Sequence, residues 1–222
     1  MKFLTGYLWR APLSEGQQQE LCQETALLLE QISYGKHNVV MAVVCNGGLT
    51  GSYVTGGLKI WLAQNGCRLF GKKWNSSMVR KELERVVARL LEESKRTVEN
   101  EEMDVELTGI LMAEQDFWIM QNGGGSIFLL NRKFHRTRCR RVCDWGERSA
   151  VVVEGSMESC VGVLLGNSDF LRHSIEKTMA QCLAAQDVYR EEQINNRLKE
   201  LSEESRRQGY LGECSAIYIK SV

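Results

Sequence analysis

Val39-Val40-Met41-Ala42-Val43-Val44-Cys45-Asn46-Gly47-Gly48-Leu49-Thr50-Gly51 is the stretch on which the reading of this chain turns. Six apolar residues from Val39 to Val44, rich in β-branched side chains, fit a strand buried on both faces. The run then breaks into a polar tip at Asn46 and glycines at 47, 48 and 51, which permit positive φ and close approach of a ligand. Strand ends of this kind often carry a site; the plainer alternative is a strand and a glycine turn.

Outward from that stretch, Tyr34 to Asn38 reads as the turn leading in, and Leu21 to Ile32 is apolar-rich and open between strand and helix. Phe3 to Trp9 predicts a first strand, with Arg10 to Gln19 as a polar connection. Downstream, Tyr53, Val54, Leu58, Trp61 and Leu62 keep helical spacing and place a helix over 52–65. Asn75, Ser76 and Ser77 are good N-cap residues for a second helix of about 20 residues, striped by Val79, Leu83, Val86, Val87, Leu90 and Leu91. Strand-like runs follow at 105–112, 116–121 and 127–130, with Gly123-Gly124-Gly125 as a hairpin turn closing a β-meander. Residues 134–142, 150–153 and 161–165 predict further strands, 174–185 and 187–207 predict helices with Gly209 as a C′ stop, and 215–219 a last strand. Many strands in runs, with helices between, predict an α+β sandwich of sheets covered by helices. A single proline and no Ser/Pro-rich stretch argue for one domain over residues 1–222.

Lysine plus arginine equals aspartate plus glutamate, 28 against 28, which gives no support to nucleic acid or membrane binding as the main task. No apolar run approaches the ~20 residues needed to cross a bilayer. Eight scattered cysteines, several inside apolar runs, suit reduced thiols, and a soluble cytoplasmic protein is expected. Local charge concentrates in Arg132-Lys133-Phe134-His135-Arg136-Thr137-Arg138-Cys139-Arg140-Arg141. Its arginine forks, above all Arg136, Arg138 and Arg140, make a candidate anion dock, weighed against a charged edge strand that discourages sheet-to-sheet pairing. His135, Cys139 and Cys143 lack the four ligands and knuckle spacing of a zinc site. Cys45 has no His with a local nucleophile signature, and the triple glycine lacks the Lys and Ser/Thr of a P-loop.

Four stretches in order resemble the metal-dependent protein phosphatase 2C family, the PPM-type phosphatases, in its bacterial form. Val43-Val44-Cys45-Asn46-Gly47-Gly48-Leu49 is similar to that family's V-C-D-G-M-G-G-L, with Asn46 in place of aspartate. Residues 119–130 resemble I-x-x-V-G-D-S-R-I-Y-L-L, with Gly124 at the aspartate position. Residues 163–170 resemble L-L-L-C-S-D-G-F, where either Ser168 replaces the aspartate or Asp169 is that aspartate and its glycine is lost. Residues 212–217 resemble D-N-I-S-A-I, which puts Gly212 on the last aspartate and Glu213 beside it. Near the amino end, Gln23-Glu24-Thr25-Ala26-Leu27 looks like that family's Q-D-S-L or N-E-D-S stretch, with Glu24 where a metal-binding aspartate would lie; the phosphate-gripping arginine has no counterpart, and the nearest upstream is Arg10.

The resemblance implies a four-layer α-β-β-α sandwich of two antiparallel sheets flanked by helices. It also implies hydrolysis of phosphoserine or phosphothreonine at a two-ion Mg²⁺ or Mn²⁺ centre. Hard dications need carboxylates, and two of them ~4 Å apart repel by several kcal/mol even in a high effective dielectric. With Asn46, Gly124 and Gly212 where carboxylates belong, a two-ion centre and metal cofactors are not expected. Glu24, Asp169 and Glu213 remain as candidates for one weak Mg²⁺ or Mn²⁺. The sequence therefore predicts a degenerate cleft at Glu24, Asn46, Gly47, Gly124, Ser168, Asp169, Gly212 and Glu213, in a pseudophosphatase that binds a phosphoprotein or a Ser/Thr kinase. A divergent single-metal phosphatase is the alternative.

Overall fold

The computed structural model describes residues 2–13, 25–97, 105–123, 125–133, 136–143, 151–158, 160–167, 170–171, 173, 179, 183 and 189–222. Its strands are β1 (Phe3–Arg10), β2 (Thr25–Tyr34), β3 (His37–Asn46), β4 (Glu106–Ala113), β5 (Asp116–Asn122), β6 (Gly125–Lys133), β7 (Arg136–Cys143), β8 (Val151–Ser156), β9 (Cys160–Asn167) and β10 (Cys214–Ser221). The helices assigned among the described residues are α1 (Gly48–Phe70), α2 (Ser76–Thr97) and α3 (Glu191–Arg207). Two five-stranded antiparallel sheets result, ordered β2-β3-β4-β5-β8 and β1-β10-β9-β6-β7.

The alternation of β3 builds two cores at once, because successive side chains leave a strand on opposite faces. Val39, Met41, Val43 and Cys45 enter a core shared with Val54, Leu58 and Leu62 of α1 and Val79, Leu83 and Val87 of α2. Val40, Ala42 and Val44 point the other way, into a layer with Val163, Leu165, Ile217 and Ile219 of the second sheet. A third core seals that sheet's outer face, where Leu164, Ala216 and Tyr218 meet Ile194, Leu198 and Leu201 of α3 and Phe170, Leu171, Met179 and Leu183. Helix, sheet, sheet and helix thus stack in four layers, as expected. Each fully buried Val, Leu, Ile or Met contributes roughly 1.5–3 kcal/mol, so these apolar layers are the main force holding the hydrogen-bonded sheets and helices together.

From Thr25 onward the open segment is a strand, hairpinned onto β3 through Gly35 and Lys36 with Tyr34 opposite His37, while its first residues, 21–24, lie outside the described residues. Helix α1 begins at Gly48, earlier than the apolar spacing predicts, because Gly47 and Gly48 at φ 123° and 54° turn the chain directly off β3. The capping residue of α2 is Asn75, whose Oδ1 accepts from the Met78 N–H at 3.2 Å.

The expected hairpin at Gly123-Gly124-Gly125 is a correction: β5 pairs with β4 and β8 in one sheet, while β6 pairs with β7 and β9 in the other. The glycines are a crossover between sheets, and the β-meander ends at β5. Gly125 makes that passage possible, since a Cβ there would lie 1.4 Å from Thr108 Oγ1 on β4. Helix α3 starts at Glu191 rather than 187 and stops as predicted: Gly209, at φ 93°, donates to the Arg206 carbonyl at 2.9 Å and Tyr210 to that of Ser205 at 3.0 Å. The helix expected over 174–185 lies outside the described residues apart from Met179 and Leu183. No helix among the described residues is long and apolar enough to cross a membrane.

Candidate functional site

The register of the first sheet sets Thr25, Asn46 and Glu106 in one row across the ends of β2, β3 and β4. Asn46 Oδ1 accepts from Thr25 Oγ1 at 2.7 Å, and Asn46 Nδ2 donates to Glu106 Oε2 at 3.3 Å. An amide is suited to this post because it accepts on one side and donates on the other; a carboxylate can only accept. Both ends of the Asn46 side chain are therefore committed within the sheet.

Facing this row, the second sheet ends in a bracket built by Asn167. Its Nδ2 donates to the Glu213 carbonyl at 2.8 Å, and its Oδ1 accepts from the Ser215 N–H at 3.0 Å, tying the end of β9 to the start of β10. Glu213 turns its carboxylate onto Ser215, whose Oγ donates to Oε1 at 2.5 Å. Between the two strand ends lies a shallow, partly open crevice lined by Val44, Asn46, Glu106, Thr108, Gly125, Gly166 and Asn167.

Gly212 is roofed rather than open. The Schellman turn after α3 delivers Tyr210 over it, so that a Cβ on Gly212 would lie 2.6 Å from the Tyr210 hydroxyl and 2.8 Å from Cζ. Tyr210 is held there by its hydroxyl, which donates to the Glu213 carbonyl at 2.9 Å, and by ring contacts with Phe170 and His173. Cys45 points into the core beside the tip. Burial, with the Glu106 charge adding to it, pushes its thiol pKa up to about 12, so it stays protonated and is no nucleophile at neutral pH.

Among the predicted cleft residues, Asn46 and Gly47 lie together at the β3 tip, and Gly212 and Glu213 lie across the crevice beside the Asn167 bracket. Glu24, Gly124, Ser168 and Asp169 fall outside the described residues. Arg136, Arg138 and Arg140 sit on β7, an edge strand of the second sheet, at alternate positions and hence on one face; their side chains are outside the description. Sequence reading missed Thr25, Glu106, Asn167 and the roof of Tyr210. The signal for the first three is a polar residue at the end of an apolar strand; pairing them needs the register.

Among the described residues no three His, Cys, Asp or Glu side chains gather where they could hold a metal ion. Of the positions where the resemblance puts carboxylates, the described ones hold Asn46, neutral and engaged on both sides, and Gly212, which offers no side-chain donor.

The sequence matches no protein-family model and no curated protein. Solved structures do match, over the whole chain. A bacterial serine phosphatase superposes with a TM-score of 0.70 at 11% identity, covering 99% of this chain and 98% of that one. The serine/threonine phosphatase Stp1 from Staphylococcus aureus gives 0.69 at 11%, covering 100% and 96%. The catalytic domain of the serine threonine protein phosphatase PstP, solved in complex with two manganese ions, gives 0.62 at 11%, covering 99% of each. The chain therefore has the protein phosphatase 2C-like fold, and at this identity the likeness speaks for fold alone.

Proposed function

We propose that this chain is a pseudophosphatase: a phosphatase-2C fold that no longer hydrolyses phosphoserine or phosphothreonine and instead serves as a binding or regulatory module in the cytoplasm. One observation carries the reading. At the β3 end, where the resemblance puts a metal carboxylate, the neutral Asn46 is tied by its two polar ends to Thr25 and Glu106. Phosphoryl transfer by metal-activated water needs open coordination positions and concentrated negative charge, and neither is supplied by these side chains.

The partner we propose is a phosphoprotein or a Ser/Thr kinase, docked through the face of β7 that carries positions 136, 138 and 140. Arginine forks match phosphate oxygens in pairs, and β7 is an edge strand of the second sheet. The purified chain, given a phosphoserine peptide with Mn²⁺ or Mg²⁺, is expected to release no phosphate and to give no heat on titration with Mn²⁺. It is expected to retain the phosphorylated peptide over its unphosphorylated form, and Arg138→Ala to weaken that retention. Phosphate release that disappears in Asn46→Ala would establish the divergent single-metal phosphatase instead.

A further inference from the structure

The helices α1, α2 and α3 differ in what they offer to solvent. Outer positions of α2 and α3 are crowded with Lys, Arg and Glu, as amphipathic surface helices require, whereas α1 carries only two charged residues in its length, Lys59 and Arg68. The exposed polar side chains of α1, Ser52, Lys59, Gln64 and Arg68, flank an apolar strip between them, and an exposed apolar strip on a surface helix marks a place where another surface docks. The inner face of α1 is accounted for by the first core, through Val54, Leu58, Trp61, Leu62, Leu69 and Phe70.

The outer face is a seam of Leu49, Tyr53, Gly56, Ile60, Ala63 and Cys67, spaced alternately by four and three residues. That is the a/d spacing with which one helix packs along another. Leu49 is 71% exposed, Ile60 58% and Tyr53 37%, with Ala63 and Cys67 also exposed; the Tyr53 hydroxyl donates to Glu93 Oε2 of α2 at 3.2 Å, so that its ring lies along the seam with its polar end held at the flank. Gly56 sits mid-helix, where glycine costs about 1 kcal/mol against alanine. A Cβ added there would meet nothing within 4 Å, so no close approach within the described residues requires a glycine at that position.

We propose that the outer face of α1 pairs antiparallel with the same face of a second copy of this chain. The seam is self-complementary in that orientation alone. Turned about its midpoint near Leu58, it sets Leu49 against Cys67, Tyr53 against Ala63 and Gly56 against Ile60, a large side chain facing a small one in each layer. Parallel pairing in register stacks Tyr53 on Tyr53 and leaves a hole between two Gly56 residues. Antiparallel helices also oppose their macrodipoles. The two flanking cations do not oppose the contact, because each is paired in its own chain: Lys59 with Glu30 at 2.6 Å and Arg68 with Glu82 at 3.6 Å. The seam runs about 27 Å at 1.5 Å per residue. One helix pair of that length falls short of the ~1,600 Å² of a standard interface, so the dimer is concentration-dependent rather than obligate.

Sedimentation equilibrium of the full chain under reducing conditions tests this. A reversible monomer–dimer equilibrium is expected, weakened by more than roughly tenfold in Ile60→Glu, which sets a charge opposite Gly56. Gly56→Leu fills the hollow that takes Ile60 and is expected to weaken the dimer while raising the melting temperature of the monomer, which separates loss of pairing from loss of folding. Mild oxidation of Leu49→Cys is expected to give a covalent dimer through the partner's Cys67, lost when Cys67→Ser is added. A chain that stays monomeric at several hundred micromolar overturns the proposal. So does a dimer indifferent to Ile60→Glu, or a Cys67-to-Cys67 link in the unmodified protein, which requires the parallel arrangement.

Discussion

Met41 and Asn46 stand five residues apart on β3 and are governed by different forces. Met41 has no exposed surface and is surrounded by the helices and strands of the first core, where any apolar side chain of similar volume serves. Asn46 is held by two directional hydrogen bonds at the rim of a shallow crevice, where only a group that accepts from Thr25 and donates to Glu106 will do. The body of the strand belongs to a packing problem with many solutions; its tip belongs to a polar network with few. This is why a fold can survive the replacement of the residues at its strand ends: the three apolar layers do not depend on them.

The largest effect expected from this contrast comes from the strand body. Met41→Ala removes a fully buried side chain between sheet and helices and is expected to cost about 2–5 kcal/mol in denaturant unfolding, with the slope unchanged. Retention of a phosphopeptide by the folded variant should be unaltered; a variant that folds but no longer retains it would join body and rim into one unit and break the comparison. A smaller effect is expected on the far side of the crevice. Gly212→Asp pushes its new Cβ against the Tyr210 hydroxyl, 2.6 Å away, and so dislodges a ring that bonds the Glu213 carbonyl. The expected loss is about 1–3 kcal/mol, with no gain of Mn²⁺ binding by calorimetry. Retained stability together with a new Mn²⁺ site would show that the roof yields easily and that the missing aspartate alone keeps metal out.

The same division explains what could be read from the amino-acid order. The unbroken apolar run of Val39 to Val44, the stripe of α2 and the glycine after α3 are local patterns, and each appears in the structure within a few residues of where the sequence puts it. The crossover at Gly123 and Gly125 was not legible, because a triple glycine between two strand-like runs is the same whether the runs pair or part; Thr108 beneath Gly125, seventeen residues back, decides it. The cleft was legible only through resemblance, as positions 46, 124 and 212 where that family has carboxylates, of which 124 lies outside the described residues. What occupies it could not be read, since Thr25, Asn46 and Glu106 meet through strand register, and Tyr210 reaches Gly212 through the turn that ends a helix.

The finest effect belongs to the tip itself. Asn46→Asp restores the side chain that the resemblance assigns to this position, yet here it loses a donor: the new carboxylate still accepts from Thr25 but faces Glu106 Oε2 where the amide N–H pointed, 3.3 Å away in the parent. Two carboxylates at that separation disfavour ionisation of both, so the pKa of the folded pair rises above the unfolded value of about 4 for aspartate. The sign follows from linkage: a raised carboxyl pKa leaves stability intact at low pH and removes it as pH climbs through the folded value. The variant should therefore match the parent in acid near pH 4 and fall about 1 kcal/mol below it at pH 7, the half-exposed position limiting the cost. Thermal unfolding of parent and variant across that range measures it. Adding Mn²⁺ at pH 7 sharpens the test, because a metal bridging the new carboxylate and that of Glu106 would recover the lost stability. No such recovery is expected from a rim that brings two carboxylates together and, among the described residues, supplies no third beside them.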